Sequence, residues 1–177
     1  MRRFLDGLYT ASAVLAAACL VGIFVVMMAQ SLGRELGVLV RGADDITGWL
    51  CAASAFFALG HTFRHGELVR VGLWLDYLKG RSRWIAEIFA LGITVVFTIY
   101  MVWAVARFVY ESWKFDEVAQ NLLRVPIWIP QTTFLLGVLI FLVAVIDELV
   151  LVLKKQKPTY QVAEEERRAA GDFSETV

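Results

Sequence analysis

Charge is almost absent from four long parts of this 177-residue chain. Leu8 to Leu32, Ile46 to Phe63, Trp84 to Ala106 and Val125 to Ile146 contain one acidic or basic residue between them, Glu87. An ionisable group near the middle of a bilayer is costly and ordinarily marks an ion or proton path, and no predicted midplane here carries one. Histidine is scarce as well. His61 and His65 are the only two and share one helix end, whereas haem held inside a helix bundle needs imidazoles on facing helices. Cys19 and Cys51 lie in different apolar stretches and form no CxxC or Cys/His pattern, so a vicinal-thiol redox centre is excluded and both read as small apolar residues. No Gly-rich phosphate loop, Ser/His/Asp set or metal cluster occurs, and the chain is not expected to be an enzyme or to hold a cofactor. Lys and Arg number 17 against 17 Asp and Glu, so there is no polycationic character to suggest nucleic acid as a partner.

What is present is apolar length. The chain is 59% apolar with a mean hydropathy of +0.64, above the roughly 45–50% of soluble domains. A helix needs about 20 apolar residues to cross the hydrocarbon of a bilayer. A spanning segment must also satisfy its own backbone, and the absence of ten-residue alternating segments argues against a barrel. The expected fold is therefore an all-α integral membrane protein with four transmembrane helices, at about 8–32, 46–63, 84–106 and 125–146. The second stretch has only 18 uncharged residues between Asp45 and Arg64, and is short, tilted or extended by its flanks. Arg2 and Arg3 before an alanine-rich stretch resemble the start of a signal peptide, but a cleavable apolar core runs about 7–15 residues. This one continues through Met28, so an uncleaved first span is the better reading.

Twelve of the Lys and Arg residues fall at the N-terminus, in the second connection and in the tail, and five in the first and third connections. The positive-inside rule then puts both termini in the cytoplasm. In the second connection Leu68, Val71, Leu75 and Leu78 recur at helical spacing, with Trp74 and Tyr77 as interfacial anchors, which predicts an amphipathic interfacial helix over about 66–80. Residues 1–153 form the membrane domain. The tail, 154–177, has too little apolar material to fold alone and is expected to be mobile. Glu87 sits one turn inside the third span, four positions after Arg83, and should pair with it. Pro126 and Pro130 fit the start of the last helix.

The spans carry material for helix packing. Gly48 with Ala52 and Ser54 with Ala58 form small-xxx-small pairs on the second helix; Ser12 with Ala16 and Ala13 with Ala17 do so on the first. Such pairs serve contacts within the chain, contacts with a partner, or both on different faces.

Several local features together resemble the small membrane subunit of TRAP (tripartite ATP-independent periplasmic) transporters, the DctQ-like family. They are Gly33-Arg34 closing the first span, Asp44-Asp45 opening the second, the stretch from Ala58 to Val71 with Arg64, Gly66 and Arg70, Glu111-Ser112-Trp113, and Leu123 to Trp128 with Pro126. The chain departs from the family where an acid is expected soon after Arg70; here the next is Asp76.

The resemblance implies a small permease subunit in the inner membrane of a bacterium, bracing a large membrane subunit during sodium-coupled uptake of an organic acid delivered by a periplasmic binding protein. On this reading Gly48, Ala52, Ser54 and Ala58 are the candidate interface with the large subunit. Arg34, Arg41, Asp44, Asp45, Lys114, Asp116 and Glu117 would face the binding protein. A self-contained homo-oligomeric transporter or channel is the alternative, and it would ordinarily need a polar cluster in its pore.

Overall fold

A computed structural model of the chain describes residues 2–38, 42–65, 81–119, 124–154 and 159. The expected interfacial helix over 66–80, with Gly66, Arg70 and Trp74, lies outside the described residues. So do Arg41 and the tail beyond Lys154, apart from Thr159.

Four helices account for nearly all of the described chain: α1 (Arg2–Glu35), α2 (Ala43–His65), α3 (Arg81–Lys114) and α4 (Trp128–Leu153). All four are long and apolar enough to cross a membrane, which makes this a multi-pass membrane protein. α1 and α3 have 34 residues each. At 1.5 Å per residue they are about 51 Å long and overrun the roughly 30 Å hydrocarbon core. α2 has 23 residues, so its uncharged stretch is extended by the flanks Ala43 to Asp45 and Arg64 to His65.

The last helix departs from the expected 125–146 at both ends. Val125 and Pro126 are held in pairing with residues 117–119 and cannot join it: the Ala119 amide donates to the Val125 carbonyl at 3.0 Å, and Val118 and Pro126 form an isolated antiparallel bridge. α4 starts instead after Ile127, with Pro130 buried in its first turn. At the other end it runs past Asp147 and Glu148 to Leu153.

The helices pack in the order α1–α2–α4–α3, α2 contacting α1 and α4, and α3 meeting the bundle chiefly through α4. In their most apolar 18 residues, α1 and α3 bury 11% of positions each, against 28% for α2 and 39% for α4; the outer helices thus turn most of their apolar surface away from the chain. Their inward stripes are narrow. On α1 the stripe is Tyr9, Ser12 and Ala16; on α3 it is Glu87, Leu91, Thr98 and Ser112. Spacings of three, four and their sums keep such residues on one face.

Three contacts set the crossings. Ser12 on α1 donates to the Phe57 carbonyl on α2, beside a cluster of Ala16, Ala53 and Phe57. α2 and α4 run parallel, and Gly137 brings them close: a Cβ there would stand 2.7 Å from the Phe56 Cβ and 2.8 Å from its carbonyl carbon. Trp84, near the start of α3, donates its indole N–H to the Val152 carbonyl at the end of α4, at 3.0 Å. Tyr9, Phe63, Leu91, Ala144, Val145 and Val152 join all four helices in one buried cluster toward that end.

Candidate functional surfaces

The two ends of the bundle differ in how they place their polar groups. At the end shared by the start of α1 and the close of α2, Arg64 pairs with Asp6 at 2.5 Å and lies over the Tyr9 ring, 4.9 Å from its centre. Arg64 is nearly buried and Asp6 half exposed. Arg83 reaches Glu87 at 3.2 Å across one helical turn, the pairing that the spacing predicts. Glu148 is only 1% exposed, and it accepts a hydrogen bond from the Thr159 amide at 3.1 Å. At Thr159, therefore, the chain beyond α4 returns to the bundle.

At the opposite end, α1 and α3 stop in the same way. After α1, Gly37 takes a left-handed conformation (φ 73°), the Gly37 amide donates to the Arg34 carbonyl and the Val38 amide to the Gly33 carbonyl. This Schellman arrangement satisfies carbonyls that the helix leaves open. After α3 the left-handed residue is Asp116 (φ 47°), with Asp116 donating to Trp113 and Glu117 to Ser112. The Ser112 hydroxyl donates to the Glu117 carboxylate at 2.8 Å, and the Ile127 amide donates to the Glu117 carbonyl at 3.0 Å. Glu117 thus ties the end of α3 to the entry of α4. Asp44 accepts from the Gln30 side chain at 3.1 Å, and Asp44 and Asp45 occupy the first turn of α2, where negative charge suits the helix dipole.

The residues expected to meet a membrane partner are divided between surfaces. Gly48 is exposed, with no atom within 4 Å of a Cβ built on it. Ala52 is half-buried; Ser54 is buried and donates to the Cys51 carbonyl at 2.8 Å. Ala58 packs against the Ala16, Ala53 and Phe57 cluster. Gly33 is buried and Arg34 exposed; Lys114 ends α3, its ammonium 5.8 Å from the centre of the exposed Phe115 ring. Trp128 is the first residue of α4.

One surface carried no signal in the sequence. On α3, Ile88, Phe89, Gly92, Val96, Phe97 and Tyr100 line an open apolar notch of about 770 Å³. Gly92 is one of the lining residues, and an added Cβ there would meet no atom within 4 Å. On a helix apolar on every side, a lone glycine gives no periodic mark of the face it occupies.

Among the described residues, no group of three or more His, Cys, Asp or Glu side chains could hold a metal ion. The arrangement offers packing faces and two structured ends. Residues 23–155 match the sequence model of the family described as tripartite ATP-independent periplasmic transporters, DctQ component. No curated protein and no solved structure matches the chain.

Proposed function

Because the chain belongs to the DctQ component family of tripartite ATP-independent periplasmic transporters, we propose that it braces a large membrane subunit while that subunit imports an organic acid on a sodium gradient. The binding protein would deliver the acid from the periplasm, and both termini of this chain would lie in the cytoplasm of a bacterium, with the bundle in the inner membrane. The observation that carries the reading is the order α1–α2–α4–α3, whose outer helices bury so little of themselves within the chain. A brace needs such faces, because an embedded partner is held by van der Waals packing. It needs no charge at its midplane.

Reconstitution tests this reading. Liposomes holding this chain alone should take up no organic acid under a sodium gradient, and liposomes holding the large subunit should require this chain for binding-protein-dependent uptake. Uptake by this chain alone would give the transport path to it and remove the bracing role. Reporter fusions near Asp116 should read periplasmic and those after Lys157 cytoplasmic.

A further inference from the structure

We propose that the large membrane subunit seats a helix along the outward face of α3, from Phe89 at the notch to Trp113 beyond the bilayer, a placement that rests on the bracing role. With the inward stripe fixed by Glu87, Leu91, Thr98 and Ser112, the face turned away from the chain can be followed. Phe89, Gly92, Val96, Trp103, Tyr110 and Trp113 recur at spacings of three, four and seven, and all but Gly92 are more than half exposed. Such a line drifts about 20° per heptad around a straight helix, and a second helix follows it as a left-handed supercoil. Phe89, Gly92 and Val96 also line the notch. Small residues such as glycine are where two membrane helices approach each other closely.

The outer end of the line decides what covers it. Arg83 to Arg107 measures about 36 Å along α3, enough to take in the roughly 30 Å hydrocarbon core. Arg107 is exposed, pairs with Glu111 at 2.8 Å and lies over the Trp103 ring, so charge marks the outer boundary there. Trp113 stands six residues, about 9 Å, farther out, past a headgroup layer of about 5–8 Å. Acyl chains do not reach it. A line that is apolar within the bilayer and beyond it needs a protein that is embedded in the membrane and rises from it. Of the other two components of a tripartite transporter, the large membrane subunit fits that description and the binding protein does not. Area agrees. The exposed rings of Phe89, Trp103, Tyr110 and Trp113 leave roughly 350–600 Å² uncovered, a large part of the about 800 Å² that each partner gives to a stable interface. α1 offers no such continuation: among its described residues Phe24 is the one exposed aromatic, and the helix closes in Arg34 and Glu35, both exposed.

Gly92 and Gly48 make a matched pair of probes, because a Cβ added at either meets no atom of the chain within 4 Å. The tagged full chain would be co-expressed with the large subunit and extracted in mild detergent, and the large subunit retained per chain measured. Gly92→Leu should lower that retention about tenfold and Trp113→Ser about threefold, each with the chain's own melting midpoint unchanged. Gly48→Leu on α2 should retain the large subunit as the wild type does. So should Phe108→Ala, whose ring is as exposed as that of Trp103 but lies about 140° from it around α3. Full retention by both Gly92→Leu and Trp113→Ser would overturn the proposal and leave the face to lipid. Loss in Gly48→Leu with full retention in Gly92→Leu would overturn it in favour of α2. A Trp113→Ser variant that keeps the large subunit but needs more binding protein for half-maximal uptake would overturn it by assigning the outer end to the binding protein. A wild-type chain that retains no large subunit would remove the bracing role itself, and the seat on α3 with it.

Discussion

Gly137 lies against the backbone of Phe56 at a distance that leaves no room for a Cβ, which would stand 2.8 Å from the Phe56 carbonyl carbon and 2.9 Å from its oxygen. Carbon atoms rest at about 3.5–4.0 Å, so a methyl group at 137 must push α2 away from α4. Gly137→Ala should destabilise the chain by about 1–3 kcal/mol, as overpacking does, despite the better helix propensity of alanine. Unfolding in detergent by stepwise addition of a denaturing surfactant measures this. Gly48→Ala is the control, since nothing stands within 4 Å of a Cβ there. A Gly137→Ala variant as stable as Gly48→Ala would show that the two helices do not approach each other at Phe56.

Arg64 on α2 joins α1 at the bundle's polar end through two different attractions. Its ion pair with Asp6 involves a carboxylate that is 52% exposed, and such pairs contribute only about 0–1 kcal/mol. Its place over the Tyr9 ring is far less exposed to water, and a desolvated cation–π contact reaches about 2 kcal/mol. Arg64→Ala should therefore lower stability more than Asp6→Ala, and raised salt should remove a larger share of the Asp6 effect than of the Arg64 effect, because only the ion pair is screened. Equal losses from the two substitutions would assign all of Arg64's contribution to the ion pair.

Asp116 adopts a left-handed conformation that Gly37 adopts at the matching place after α1. For a residue with a Cβ this conformation is strained by about 1–2 kcal/mol, and glycine escapes the strain. Asp116→Gly should raise stability by about 1 kcal/mol at this helix end, and Asp116→Ala should lower it. A thermal melt of both variants is sufficient. If glycine and alanine shift the midpoint equally, the backbone at 116 is not held left-handed.

Much of the bundle is legible in the sequence because transfer from water to lipid dominates it. The four spans follow from unbroken apolar length, and the Arg83–Glu87 pair from a spacing of four. Ser12 and Ala16 are marked by their small size, but Ala13 and Ala17 carry the same mark, and only the first pair is buried. Helix order is another matter. Hydrocarbon is as apolar as a protein core, so periodicity does not separate the inward stripe of α1 or α3 from the face turned to lipid. Gly137, between Leu136 and Val138 in an apolar run, carries no mark of its contact with Phe56. The burial of Glu148 depends on α4 continuing beyond its uncharged stretch, and on Thr159 returning to it. The division of Gly48, Ala52, Ser54 and Ala58 between faces has the same origin: spacing says that small residues share a side and does not say which helix lies there.

The end of the bundle at which α1 and α3 close sorts the charges proposed to receive the binding protein. Asp44 is engaged by Gln30, Glu117 by Ser112, and Asp116 serves the close of α3. Lys114 ends a helix, where a cation also suits the dipole, and its neighbours Trp113 and Phe115 are exposed. Among the charges of α3 and its close, Lys114 is thus the one best placed to meet an incoming surface, with Arg41 as its counterpart beyond α1 in the sequence. A contact that forms and breaks in each transport cycle gains from charge chiefly through its on-rate, and the gain fades as salt screens it. Lys114→Glu combined with Arg41→Glu should raise the binding-protein concentration for half-maximal uptake several-fold at low ionic strength. The difference should close at high salt, and co-purification of the membrane subunits should be unchanged. Glu117→Gln should act otherwise: it weakens the tie to Ser112 and should lower stability with little effect on that concentration. If the double reversal leaves the concentration dependence unaltered at low salt, these charges only solvate the ends of the helices, and the binding protein docks elsewhere.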